Sequence, residues 1–175
     1  MERLQYSVDL DDIVAFNQFH ASQSPTYQRS WRRERWIYPP IFAGLAILWI
    51  MSAGRMTASS LAILLLAVAW PVLVPRYLRW RLTRYVRRMY SEGSNASLIG
   101  VHEAVTLEDA LAVTTPGDDT KIRWSAIGRV LTTPDYGFIY MSATQAVIIP
   151  RRTIVTGDFQ AFMDDVHRHT SQVPA

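Results

Sequence analysis

The stretch ILWIMSAGRMTASSLAILLL, residues 47–66, holds one charge, Arg55, with apolar sequence on both sides. Residues 36–75 contain no other charged side chain. One straight helix over them would be about 60 Å long, roughly twice a bilayer's hydrocarbon core. Two helices resolve the excess: residues 37–53, about 26 Å, and 57–74, about 27 Å, each near the shortest length that crosses. Gly54-Arg55-Met56 is left as a turn. Glycine ends a helix because it tolerates the left-handed conformation, and an arginine at the turn reaches headgroups and water. A buried helical pair in a soluble protein would carry a polar face. Residues 61–74, LAILLLAVAWPVLV, carry none. The reading is a transmembrane hairpin.

Arginines set its orientation. Arg29, Arg32, Arg33 and Arg35 precede the first span, and Arg76, Arg79, Arg81, Arg84, Arg87 and Arg88 follow the second. Ten against the single Arg55 place both termini in the cytoplasm by the positive-inside rule. Trp31, Trp36, Tyr38, Tyr77 and Trp80 occupy interfacial positions. Pro39-Pro40 is expected in the first turn of span one, where missing donors cost little. Pro71 is expected to kink span two, and Pro75 to bend or break it. Beyond Pro75, Leu78, Leu82, Tyr85, Val86 and Met89 recur at helical spacing among the arginines. This reads as a separate basic amphipathic helix, either an anchor packed on the cytoplasmic domain or a contact for anionic lipid.

The charge is uneven. Residues 1–28 sum to −3, residues 29–88 to +10 and residues 98–175 to −3. A nucleic-acid binder usually carries its basic charge on the folded domain; here the folded parts are acidic, so nucleic acid is not an expected partner. There is no cysteine among the 175 residues, which removes disulfides, zinc–thiolate sites and thiol catalysis. The start, MERLQYSVDLDD, is acidic and lacks a continuous apolar core, so it does not read as a signal peptide.

The chain divides into an N-terminal strand and helix over 1–28, the hairpin with its basic helix over 29–90, and a cytoplasmic domain over 98–170. Ser91-Glu92-Gly93-Ser94-Asn95 reads as a linker. After it, period-two alternation marks strands at about 98–107, 109–115, 120–126, 128–133, 136–142 and 145–150, expected as one antiparallel meander. Turns are signalled at Pro116-Gly117-Asp118-Asp119, Pro134-Asp135 and Ser142-Ala143-Thr144. Asp158 is placed to cap a final helix with Phe159, Phe162, Met163 and Val166 on one face. Residues 4–8 alternate like a strand that could join this sheet, and 9–20 read as a helix capped by Asp9. The fold class is an α+β membrane protein: a two-helix transmembrane hairpin plus a cytoplasmic antiparallel PH-like β-domain with a C-terminal helix. The PH-like label is an analogy from element order and carries no function.

The order of elements, with "GVHEAVTLEDAL" at 100–111, "IRWSAIGRV" at 122–130 and "YGFIYMSATQAVIIPRRTI" at 136–154, resembles the YcxB-like family of bacterial membrane proteins. The marks are Gly100, His102, Leu107, Trp124, Ile127, Tyr140, Ile149, Pro150 and Arg151. The resemblance implies a small inner-membrane protein of unassigned activity with a cytoplasmic domain similar to bacterial PH-like domains. It implies no reaction and no catalytic residue.

No nucleophile elbow, phosphate loop or dinucleotide fingerprint is present. His167 and His169, two apart on a helix, point too far apart to share a metal. No catalytic residue, metal ligand or cofactor is assigned. The spans carry no Asp, Glu, Lys, His, Asn or Gln, which speaks against a channel or transporter acting alone. Three residues are candidate ligand or partner contacts. Arg151 and Arg152 end the last strand and could grip phosphate or an acidic partner. Trp124 reads either as a core anchor beside Ile122 or as a ligand-facing rim. The expectation is a non-enzymatic protein of the bacterial inner membrane whose hairpin presents the domain for protein or anionic-lipid binding. The alternative is an enzyme, with His102 or Glu103 serving, or an assembly factor, active with a partner or as a homo-oligomer.

Overall fold

In the computed structural model, which describes residues 1–91, 98–142 and 145–171, the chain forms two compact units. One joins Met1–Phe16 to Val86–Ala175; the other is Asn17–Tyr85. Of the expected linker, Ser91 ends a helix and residues 92–95 lie outside the described residues, as do residues 143 and 144 of the 142–144 turn.

The Asn17–Tyr85 unit is built on helices α1 (Leu10–Gln23), α2 (Pro25–Ala53) and α3 (Ala58–Ser91). The turn is where the sequence places it. Gly54 caps α2 in the left-handed conformation, at φ 64° and ψ 4°, which a side chain would strain. Thr57 then opens α3. The Ser60 amide donates to Thr57 Oγ1 at 3.3 Å and the Thr57 amide to Ser60 Oγ at 2.9 Å, a reciprocal cap. Ser60 and Ala46 are fully buried, small residues that let helices approach. The Trp70 indole donates to the Glu34 carbonyl at 3.0 Å and packs on Tyr38 and Phe42, each ring centre 5.2 Å away. Most other side chains of α2 and α3 are exposed or half-buried. Of the most apolar 18-residue window, 6% is buried in α2 and 11% in α3.

Two expectations about these helices are corrected. α2, the first apolar helix, starts at Pro25, so Pro39 and Pro40 lie inside it and not in its first turn. α3 runs unbroken through Pro71 and Pro75 to Ser91, so the basic segment is its continuation and not a separate helix. A proline removes one hydrogen bond and favours a kink, but regular turns on both sides can carry the helix past it.

The other unit is β-rich. Strand β1 (Arg3–Val8) pairs antiparallel with β2 (Gly100–Thr106), from Arg3↔Val105 to Val8↔Gly100. β3 (Ala110–Thr115) and β4 (Asp118–Arg123) complete a four-stranded sheet in the order β1-β2-β3-β4. β5 (Arg129–Thr132), β6 (Tyr136–Tyr140) and β7 (Ala146–Pro150) form a second sheet of three. The single meander is therefore corrected to two sheets. The chain leaves the first at Trp124–Ala126, which form a 3-10 turn where the sequence suggests more strand. Alternation survives within strands: Leu4, Tyr6 and Val8 of β1 and His102, Ala104 and Thr106 of β2 face the core.

Helix α4 (Phe159–Ser171) buries Phe159, Phe162, Met163 and Val166. Asp158 caps it, accepting from the Ala161 amide at 2.7 Å. Just before it, Gly157 at φ 93° lets the chain approach the Arg3 carbonyl closer than any Cβ would allow. That approach permits a second pairing of β1: the Gln5 amide donates to the Thr156 carbonyl at 3.0 Å and the Val155 amide to the Gln5 carbonyl at 2.8 Å.

Within each unit the two points at which the chain enters and leaves it are neighbours. In the helical unit, Gln18 Nε2 donates to Thr83 Oγ1 at 2.9 Å. In the β-unit, Arg87 pairs with Asp11 at 2.6 Å. Closely spaced ends are what domain insertion requires. Deleting Asn17–Tyr85 and joining Phe16 to Val86 by a short Gly/Ser linker should give a soluble protein with a cooperative thermal transition. Circular dichroism and a melting curve check this; an unfolded or aggregated product contradicts it.

Candidate functional site

Two polar clusters and a cavity stand out among the described residues of the β-unit. The first cluster begins at the start of α1, where Asp9 and Asp12 cap the helix reciprocally. The Asp12 amide donates to Asp9 Oδ1 at 2.9 Å and the Asp9 amide to Asp12 Oδ2 at 3.0 Å. Asp12 is fully buried. Its other oxygen accepts from the Tyr136 hydroxyl at 3.0 Å and from Arg152, whose second nitrogen donates to Asp9 at 2.7 Å. A buried carboxylate needs such partners, because an uncompensated one is very costly. Partial burial works to raise the Asp9 pKa, but the bond from the Asp12 backbone and the Arg152 charge outweigh it and hold Asp9 below its ordinary value. Burial, helped by Asp12, pushes the Tyr136 phenol up. Thr153 adds a bond from its hydroxyl to the Ser7 carbonyl at 2.6 Å. The 3-10 turn Arg151–Thr153 thus clamps the N-terminal segment to the end of β7.

The second cluster ties α4 to the first sheet. Asp165, nearly buried, accepts from Thr106 Oγ1 at 2.5 Å and pairs with Arg168 at 3.0 Å. Its neighbour His169 stacks on Trp124, centre to centre 4.6 Å and tilted 15°. The Trp124 indole donates to the carbonyls of Leu107 and Glu108 at 3.1 and 3.2 Å. Trp124 therefore sits buried, binding the β2–β3 turn to α4.

The cavity, about 470 Å³, opens between the two sheets and the start of α1. Val8, Val113 and Ile122 come from the first sheet, Ile13 and Phe16 from α1 and Val147 from the second. His102 also lines it. Its Nε2 lies 3.1 Å from the Leu98 carbonyl, and its ring is 5.6 Å from that of Tyr6. Burial lowers the His102 pKa below its ordinary value, opposed by the Leu98 bond. Tyr6 is fully buried, burial pushes its phenol up, and its hydroxyl has no hydrogen-bond partner among the described residues.

The other residues singled out in the sequence distribute as follows. Arg151 is exposed, its guanidinium 5.4 Å from the centre of the Phe159 ring, while Arg152 is held by Asp9 and Asp12. All ten flanking arginines are exposed, although Arg87 pairs with Asp11, and Arg35 and Arg84 lie over Trp36 and Trp80. Glu103 pairs with Arg3 at 2.7 Å. Among the described residues no group of three or more His, Asp or Glu is arranged to hold a metal. The cavity is what sequence reasoning missed. Val8, Val113 and Val147 read as ordinary strand residues, and only the spacing of two sheets leaves room between them.

Residues 107–164 match the YcxB-like protein family. The match covers 58 of the 175 residues, from the β2–β3 turn into α4, and meets the resemblance noted in the sequence over that stretch. The matched segment contains Tyr136 and Arg152 but not their partner Asp12, which the N-terminal strand–helix element supplies. No curated protein and no solved structure matches the chain.

Two outcomes follow. Arg152→Ala strands the Asp12 charge and should destabilise the β-unit by roughly 2 kcal/mol, below the usual range for a buried pair because Arg152 is half exposed. Adding Asp12→Asn should recover part of the loss; denaturant unfolding measures both. Because the folded His102 pKa lies below 6.5, its contribution to stability is present above pH 6.5 and is lost as pH falls through the folded value. His102→Gln should therefore weaken the acid-side loss of stability just below pH 6.5, as thermal unfolding across that window would reveal.

Proposed function

We propose that this is a two-pass protein of the bacterial inner membrane, with both termini cytoplasmic, whose hairpin presents a PH-like binding domain at the membrane surface. The observation that carries the reading is the β1–β2 ladder. Its two strands lie on either side of the apolar helices in sequence, and strands can pair only within one compartment. An even number of crossings satisfies this and a single crossing does not. The outward apolar surface of α2 and α3 supports the same view, since core helices of a soluble protein would bury their windows. So does the arginine asymmetry, ten flanking residues against Arg55.

The PH-like description rests on four strands, three strands and a closing helix. The proposed role is non-enzymatic binding of a protein or lipid partner, because the candidate chemical groups have structural partners: Glu103 is paired with Arg3, and Arg152 with two carboxylates. Of the two arginines after β7, Arg151 is the one presented for an anionic partner.

The chain has no cysteine, so single-cysteine variants report topology cleanly. The protein should resist alkaline carbonate extraction. Arg55→Cys should react with an impermeant maleimide in intact spheroplasts, and Asp158→Cys only after lysis. Release by carbonate, or labelling of Arg55→Cys only after lysis, would overturn the reading.

A further inference from the structure

The cavity between the sheets is not used by any role described above. Its walls mix large side chains such as Phe16 and Met141 with Val8, Val113 and Val147, where a Leu or Phe would take up part of the space. Protein interiors are normally packed without gaps of this size, and about 470 Å³ lies within the usual range of small-molecule sites. Tyr90, Thr115, Thr120 and Gln145 contribute hydroxyl and amide groups that can donate or accept, so His102 and Asp118 set the preference. His102 Nε2 faces a carbonyl, which can only accept, so that nitrogen carries the proton. The neutral ring then keeps Nδ1 as an acceptor. Asp118 lines the cavity, and its carboxylate accepts from Thr120 at 2.7 Å. Asp118 and Thr120 are exposed and mark the mouth. Among the described residues lining the space there is no Arg or Lys. A carboxylate at the mouth, an acceptor on the wall and no cation suit a ligand that donates hydrogen bonds and repel one that is anionic.

We propose that this cavity binds a small apolar amine, its hydrocarbon body between the sheets and its ammonium group at Asp118. The assignment does not depend on the membrane reading, because it rests on the lining of the cavity and not on how the chain crosses a bilayer.

The test uses the full chain in zwitterionic-lipid nanodiscs, with ¹³C-labelled Ile and Val methyls, titrated separately with n-octylamine, 1-octanol and octanoate. The same titration runs in buffer if the chain does not associate with bilayers, so the two readings fail separately. Octylamine should shift the methyls of Val8, Val113 and Ile122 saturably, at least tenfold more tightly than octanoate. Asp118→Asn should weaken octylamine about tenfold and leave octanol unchanged. Val113→Phe should abolish the saturable shifts while the remaining spectrum stays dispersed; if that variant does not fold, Val147→Leu should weaken them. Octanoate binding as tightly as octylamine, shifts unaffected by the filling variant, or no saturable shift with octylamine would each overturn the proposal.

Discussion

The β1–β2 ladder constrains everything else in this chain. Arg3 and Glu103 are 100 residues apart in sequence, yet they meet as neighbours on one sheet. The pairing makes the N-terminal segment part of the same β-unit as residues 86–175, with the helices as an insertion. It is reinforced at both ends. The Thr106 hydroxyl accepts from the Glu2 amide at 2.7 Å and donates a hydrogen bond to Asp165. At the other end Arg152 holds the first turn of α1 through Asp9 and Asp12. Closing so long a loop carries an entropic cost that rises only slowly with length. A handful of buried contacts therefore suffices to hold it.

Such an architecture has a consequence for assembly. β1 is made well before β2 and cannot complete its pairing until β2 and residues 155–156 exist. Until then its inward residues, Leu4, Tyr6 and Val8, have no partner sheet to cover them. The acidic stretch Asp9-Leu10-Asp11-Asp12 beside them opposes aggregation of an exposed strand. The same carboxylates later cap α1 and receive Arg152, so one short segment serves the unpaired and the paired states of β1.

Polar groups in the β-unit fall into two kinds. Asp12 and Asp165 are buried with several donors each and act as fasteners between distant segments. His102 and Tyr6 form the contrasting pair. They are buried side by side next to the cavity: His102 bonds the Leu98 carbonyl, and among the described residues the Tyr6 hydroxyl has no partner. Burial that leaves polar capacity unused marks a place where packing has been kept incomplete.

The sequence by itself determined the elements governed by local rules. The hairpin turn at Gly54, the apolar helices, the Asp158 cap and the alternation of strands each follow from residues within a few positions of one another. Helix boundaries around prolines were less legible, because a proline states that one hydrogen bond is missing and leaves open whether the helix continues. The tertiary structure alone decided that the strands split into two sheets at Trp124, that Arg152 turns inward to Asp12, and that a cavity remains between valines. Each of these depends on groups far apart in sequence, and no periodicity records the distance between two surfaces.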